Sequence, residues 1–256
     1  VTITGIDDNI IDGTVTSTIT IAVDDANSDN NFDPVANQTV STTTTDNDTA
    51  GFTITQTDGS TSVSESGTTD TFTIVLNAQP ASDVVLTVTS SDTGEATVNS
   101  PLTFTAGNWN TPQTVTVTGV NDNLVDGTIT STVTVAVNDG SSDNNFDPVA
   151  DQTVSATTTD NDTAGFTIVQ SGGSTSVAET GTTDTFTIAL NAQPASDVVL
   201  TVTSSDTGEA TVNSPLTFTP ANWNTPQTVT VTGVNENIID GTITSTITVA
   251  VNDGSS

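Results

Sequence analysis

An all-β fold is predicted: a tandem array of antiparallel β-sandwich domains of about seven strands each. Three observations lead there. The block 51–142 returns almost unchanged as 165–256, with about 12 substitutions, and residues 1–50 are a partial copy of 115–164. Gly5, Gly119 and Gly233 recur at intervals of 114, as do the two copies of TDNDTAGFTI at 45–54 and 159–168. Self-similarity at one fixed period marks an array of like units. Apolar residues alternate with Thr at period two, the pattern of half-buried strands, and no stretch carries a helical period. Turn-forming pairs punctuate the chain at the spacing of short strands.

Each strand of the complete repeat is legible in order. TFTIVL alternates Thr with Phe72, Ile74 and Leu76; Val84, Leu86 and Val88 follow, then Leu102 and Phe104. Val115 and Val117 come next, then Ile129, and finally Val133, Val135 and Val137. Between them lie Asp58-Gly59, Ser66-Gly67, the stretch 78–83 with Pro80, 92–94, Asp126-Gly127 and Asp139-Gly140, all turn chemistry. Trp109, in the loop 107–112, is expected to plug one end of a small core of Val, Ile and Phe. The boundaries are placed at Asp46-Asn47-Asp48 and Asp160-Asn161-Asp162. Residues 1–48 are then the C-terminal part of one repeat, 49–162 a complete repeat, and 163–256 a repeat lacking its C-terminal part. With no initiator Met, the chain is expected to be a processed product or a window from a longer one.

Composition excludes much. The chain has 31 acidic residues and no Lys, Arg or His, a net charge of −31. No side-chain salt bridge can form, and carboxylates about 4 Å apart repel by ~1–4 kcal/mol. Crowded acids must be protonated, screened or bridged by a bound cation. Leu, Ile, Val and Phe make up about a quarter of the residues, so the core is small and folding marginal without help. Cysteine is absent, which excludes disulfides and thiolate metal sites. Nucleic acid and anionic membranes are poor partners for such a charge, and no apolar run approaches membrane-helix length. Ser–His and Cys–His nucleophiles are impossible, and small repeated sandwiches offer no evident cleft for paired carboxylates, so no enzyme activity is expected.

The acids gather at turns: Glu65 in VSESG, Asp92 in SSDTG, Asp122 and Asp126 in GVNDNLVDG, and Asp160 and Asp162 in the linker. Alternate turns of a sandwich meet at one end, so linker acids can join turn acids from distant strands. Oxygen donors without His or Cys suit calcium, which takes six to eight oxygens at about 2.3–2.6 Å. Asp58, Asp70, Asp83 and Glu95 are read instead as capping or solubilising turn acids. A separate ion held by Asp143 and Asp147 in SSDNNFDP is the alternative to a plain acidic loop there. EF-hand spacing is not met.

VSESGTTDTFTIVL, PLTFTAGNWNTPQTVTVTGVNDN and the closing TDNDTAGF resemble the Calx-β domain family, whose tandem copies occur in large bacterial secreted and surface proteins. The resemblance covers essentially the whole chain and implies immunoglobulin-like sandwiches that bind calcium at one end. Carried over, the family's ligands fall on Glu65, Asp92, Asp122 with Asp126, and Asp160 with Asp162. The repeat extends the set to Asp7, Asp8, Asp12, Asp46 and Asp48 before it, and to Glu179, Asp206, Asn235, Glu236 and Asp240 after it. This chain has Asn121-Asp122 where the family has an acidic pair, and Asn161 interrupts its terminal acidic run, which implies fewer ions or weaker binding. The linker is also similar to cadherin junctions, although a chain without Arg lacks their L-D-R-E motif.

The function expected is a calcium-rigidified structural module of an extracellular bacterial surface protein, either an adhesin extender or a surface filament. Its partners are neighbouring repeats of the same chain, with self-association into fibres as a further expectation, because 1–46 carries the last-strand motifs that the final repeat lacks. The alternative is a binding module whose Thr-rich strands, such as TVTVTG and ITSTVTV, face a glycan or ice. Thr is also the ordinary choice for exposed strand positions.

Overall fold

The computed structural model describes residues 1–254. Their regular structure is strand, apart from three single 3-10 turns. Contacts divide the chain into two compact units. The first comprises Val1–Val63, Gly67–Val120 and Thr130–Thr158; the second comprises Ser64–Ser66, Asn121–Ile129 and the chain from Thr159 onward. The short segments 64–66 and 121–129, end turns of the complete repeat, thus group with the chain that follows rather than with the sandwich that supplies them.

The first unit begins with a two-stranded sheet. β1 (Val15–Ile21) and β2 (Gln38–Thr44) pair antiparallel, Val15 against Thr44 and Ile21 against Gln38. Its apolar residues Val15, Ile21 and Val40 are exposed. A β-sandwich follows, built from β3 (Phe52–Gln56), β4 (Thr61–Ser64), β5 (Thr69–Leu76), β6 (Val84–Ser90), β7 (Ala96–Val98), β8 (Leu102–Phe104), β9 (Gln113–Gly119), β10 (Ile129–Val137) and β11 (Gln152–Thr159). One sheet has the order β3-β5-β9-β7 and the other β4-β11-β10-β6-β8. Phe72, Ile74, Val115 and Val117 of the first sheet pack on Val84, Leu86, Phe104, Val133 and Val135 of the second. Each such side chain contributes ~1.5–3 kcal/mol through the area it takes from water. Period-two alternation decides the facing: in β5 Phe72, Ile74 and Leu76 are buried while the intervening residues are not.

Trp109 is only partly buried against this core. The fully buried aromatic from a loop is Phe146, within the acidic stretch after β10. Asp143 makes that possible: Oδ2 accepts the N–H groups of Ala81 (2.7 Å) and Ser82 (3.0 Å), and Oδ1 accepts that of Asn145 (3.0 Å). Burial alone would push its pKa up, but these three donors hold it below the usual aspartate range. Through these three backbone bonds Asp143 pins the loop.

The second unit repeats the sandwich with β12 (Phe166–Gln170), β13 (Thr183–Leu190), β14 (Val198–Ser204), β15 (Ala210–Val212), β16 (Leu216–Phe218), β17 (Gln227–Gly233) and β18 (Ile247–Val251). Its sheets are β12-β13-β17-β15 and β16-β14-β18. Phe186, Ile188, Leu200, Phe218 and Val229 form the core. Residues 175–178 repeat the sequence region of β4 but form no strand.

Candidate metal centre

Strand pairing brings the acids of the complete repeat together. β4 and β11 are neighbours in one sheet, and the N–H of Glu65, the residue after β4, donates to the carbonyl of Thr159 at the end of β11 (3.1 Å). Glu65 therefore lies beside the linker that begins at Asp160. Only 1% of Glu65 is exposed. Oε2 accepts the Asn161 N–H at 3.2 Å. Oε1 is buried and has no hydrogen-bond partner. Burial pushes the Glu65 pKa up; the Asn161 N–H opposes this, and the charges of Asp122, Asp160 and Asp126 add to it.

Asp160 has the opposite environment. Oδ2 accepts the N–H groups of Asp126 (3.1 Å) and Gly127 (2.9 Å), and Oδ1 accepts that of Asp162 (2.6 Å). The Gly127 and Asp162 donors hold its pKa below the usual range, keeping it ionised. Asp162 also has a buried oxygen, Oδ2, with no partner. One ligand atom from each of Glu65, Asp160 and Asp162 lies within 4.8 Å of the others. The chain has no cationic side chain to place among them.

The turn 121–129 closes over this group. The Asn121 Oδ1 accepts Asn161 Nδ2–H (2.7 Å), the Asn121 Nδ2 donates to the Asp122 carbonyl (2.8 Å), and Asp122 Oδ1 accepts the Leu124 N–H (2.7 Å). The same turn is tied to the loop after β13: the N–H of Gln193 donates to the Asn123 carbonyl (2.6 Å), and the N–H of Val125 to the Gln193 carbonyl (3.0 Å). Leu124 and Gln193 form a β-bridge, and Ile10 and Gln79 form its counterpart in the first unit.

The partial copy at the N-terminus repeats the linker geometry. Asp46 Oδ2 accepts the N–H groups of Asp12 (3.1 Å) and Gly13 (2.8 Å), and Oδ1 accepts that of Asp48 (2.8 Å). Asp46 is held low by the Asp48 and Gly13 donors. Asp48 is pushed up by burial and by the charges of Asp46, Asp7, Asp8 and Asp12. Asp8 Oδ1 caps its own turn on the Ile10 N–H (2.9 Å). In the later copy, Glu179, Glu236 and Asp240 converge within the same 4.8 Å, and Glu236 Oε1 is buried without a partner. Asn235 is exposed there.

Two expected positions are not in the groups whose ligand atoms converge. Asp92 and Asp206 are exposed and spend Oδ1 on the N–H groups of Gly94 and Gly208, 2.9 Å in each case, so they act as turn caps. One acid read as a solvated turn residue is instead inside: Glu95 is 6% exposed. Its counterpart Glu209 is pushed up by burial and by Asp240, Glu236, Asp206 and Glu179. The cause is strand register. Ala96 pairs with Gly119, so the Val120 N–H donates to the Glu95 carbonyl (2.8 Å), and Glu95 lies beside the start of the GVNDN turn. Adjacency of β7 and β9 was the signal needed. Among the other turn acids, Asp70 caps the N–H of Ser62 (2.7 Å) and of its neighbour Thr71 (2.7 Å).

The residues fit a calcium ion on their own geometry: two carboxylate oxygens in the group, Glu65 Oε1 and Asp162 Oδ2, are buried without a donor, and the donor set is oxygen only. Among the described residues no helix is long and apolar enough to cross a membrane.

No protein-family model and no curated protein matches the chain. Among solved structures it is similar to CBD12 from CALX1.2, at 13% identity and a TM-score of 0.32 over 70% of this chain and 75% of that one. Domains 4–9 of the surface layer protein SbsC align at 19% identity and a TM-score of 0.32, over 85% of this chain and 32% of that one. The E. coli chaperone DraB aligns at 6% identity and a TM-score of 0.33, over 73% of this chain and 88% of that one. Likeness at this level is silent on ligand and activity.

Proposed function

We propose that the chain is a calcium-rigidified structural repeat module of an extracellular bacterial surface protein, an adhesin extender or surface filament. The observation that carries this reading is the pair of buried, donorless carboxylate oxygens at Glu65 and Asp162 in a chain with no cationic side chain. Burying a carboxylate is costly unless it is paired or bound to metal. Glu65, Asp160 and Asp162 would hold the ion, with Asp126 and Asp122 on the closing turn. The ion supplies positive charge and coordination where like charges crowd. The chain's own residues set the frame: Asp160 ties the turn 126–127 to the linker through backbone N–H groups, and Asn161 ties Glu65 and Asn121 to it. A metal that binds the folded form alone stabilises it by mass action, and near-identical copies suit a role in which length matters more than individual sequence. Calcium titration of the full chain, followed by calorimetry and X-ray scattering, tests this. Chelation should lower the melting temperature and make the joints flexible, and the double change Asp160→Asn, Asp162→Asn should loosen one joint selectively. An identical maximum dimension and melting temperature with calcium and with chelator would sink the proposal.

A second reading, a module that binds glycan or ice, has one observation in its favour. Thr69, Thr71 and Thr73 of β5 stand directly opposite Thr118, Thr116 and Thr114 of β9, a paired ladder on the sheet's outer face. Thermal hysteresis or retention on polysaccharide columns would support it; absence of both rejects it.

A further inference from the structure

We propose that the loop 191–193, which contributes no acid of its own, positions the metal centre by closing a ring of three chain segments. The segments are the turn 121–129, the linker 160–165 and the loop 191–193 after β13. The first two carry Asp122, Asp126, Asp160 and Asp162. The turn is tied to the linker where Asp160 Oδ2 accepts the N–H groups of Asp126 (3.1 Å) and Gly127 (2.9 Å). The linker is tied to the loop where the Asn191 N–H donates to the Gly165 carbonyl (2.9 Å). The loop is tied back to the turn by Gln193, whose N–H donates to the Asn123 carbonyl (2.6 Å) and whose carbonyl accepts the Val125 N–H (3.0 Å). Each segment therefore holds the other two.

The ring occurs twice. In the first unit Asp46 Oδ2 holds the N–H groups of Asp12 and Gly13. There the Asn77 N–H donates to the Gly51 carbonyl (2.9 Å) and the Gln79 N–H to the Asn9 carbonyl (2.7 Å). The turn is also braced from within: Asp8 Oδ1 accepts the Ile10 N–H and Asp122 Oδ1 the Leu124 N–H, at the residues that bridge to Gln79 and Gln193. The linker is shaped to receive the loop. A Cβ on Gly51 would lie 2.8 Å from Asn77 Nδ2, and one on Gly165 would lie 2.8 Å from Asn191 Nδ2. Glycine at that position leaves room for the amide, whose Oδ1 is held by the Oγ1 of Thr53 or Thr167 (2.8 Å in each copy).

The ring gives ion binding a consequence outside the acids. Closing it holds the linker acids against the turn acids and so crowds like charges. A bound ion relieves that crowding, and it finds its ligands in place only when the ring is closed. Ring closure and ion binding are therefore linked, and by reciprocity each strengthens the other by the same factor. Asn191 and Gln193 act as positioning residues, reaching the group of Glu65, Asp160 and Asp162 through the linker and the turn. The coupling rests on the calcium reading. The ring itself does not, because its bonds join backbone groups and the side chain of Asp160.

The test uses the full 256-residue chain with calcium alone as the probe. Calorimetric titration reads the site that Glu65→Gln weakens, and amide hydrogen exchange reads the ring. In the wild type, calcium should slow exchange at the Val125 and Gln193 amides. Val125→Pro deletes one N–H of the ring and should weaken calcium binding about 10–100-fold, the loss typical of outer partners of a metal site. The Gln79 amide, in the untouched first copy, checks that this variant is folded. The pair Leu124→Cys, Gln193→Cys locks the ring instead: bridged neighbours lie about 4.8 Å apart, within disulfide reach, and the chain has no other cysteine. Oxidised, the pair should bind calcium at least about 5-fold more tightly than when reduced, a gain that misfolding does not produce. Wild-type affinity in both variants, or equal exchange of the two amides in calcium and in chelator, overturns the coupling. If the wild type takes up no calcium, the metal reading falls and the coupling with it. Val125 and Gln193 amides still protected in chelator then uphold the ring alone, and free exchange there overturns the ring as well.

Discussion

Glu65→Gln distinguishes a calcium ligand from an ordinary buried acid, because its effect should reverse with the metal. The side chain is buried, Oε2 takes the Asn161 N–H at 3.2 Å, and Oε1 has no donor. It shares with Asp162 a group whose ligand atoms all lie within 4.8 Å of one another. Two unit charges near that separation repel by about 1 kcal/mol at the dielectric of water and about 3.5 kcal/mol at an effective value of 20. Gln keeps an acceptor for Asn161 and removes the charge. In chelator the variant should therefore be more stable than the wild type by about 1–3 kcal/mol. For a domain of this size that raises the melting temperature by several degrees. Calcium at a hundredfold excess over its dissociation constant stabilises the wild type by about 2.7 kcal/mol. Losing a charged ligand should weaken binding at least as much as the 10–100-fold typical of lost outer partners, so the variant forfeits most of that gain. Calorimetry on both proteins, in chelator and in millimolar calcium, reads the crossing. If Glu65→Gln is less stable in chelator and retains the full calcium shift, Glu65 is a structural acid and the reasoning fails.

Three more outcomes follow from the same geometry. Glu65 is pushed up, so the stability it contributes is present below the ordinary glutamate range and lost as pH rises through its folded value; Asp160 is held down, so its contribution is lost only as pH falls below the ordinary aspartate range. In chelator, urea denaturation should therefore show stability rising as pH drops from neutral and then falling in stronger acid, and calcium should flatten the rise by keeping Glu65 ionised. Asp143→Ala strands the N–H groups of Ala81, Ser82 and Asn145 and should cost about 2–4 kcal/mol, equally with and without calcium; a loss seen only in calcium would make Asp143 a ligand. Val135→Ala should cost about 2 kcal/mol, whereas the same change at its repeat counterpart Val249, half-buried, should cost under about 1 kcal/mol in the monomer. Equal costs at the two sites would mean that Val249 is packed as tightly as Val135.

The strands were legible because their alternation is local. Phe72, Ile74 and Leu76 face inward for the reason that every second residue does. Asp160 and Asp162 could be read together because they lie two residues apart in the chain between β11 and β12. Glu95 was not, since its place beside the GVNDN turn depends on β7 pairing with β9. Asp92 carries the same turn signal, and its Oδ1 caps the Gly94 N–H. Asp143 and Phe146 together show why composition misleads here: an acid in an acid-rich loop serves backbone donors, and the aromatic beside it is fully buried in the core against which Trp109 packs only in part.

The order of residues alone determined the period of 114, the all-β class and the exclusion of side-chain salt bridges and disulfides, because each is a matter of counting or of spacing within one strand. Only the tertiary structure decided which carboxylates meet, which of them already have donors, and that TSVA at 175–178 forms no strand where TSVS at 61–64 does. Strand pairing joins residues about a hundred positions apart, and a strand needs a partner for its backbone before its own sequence can express itself.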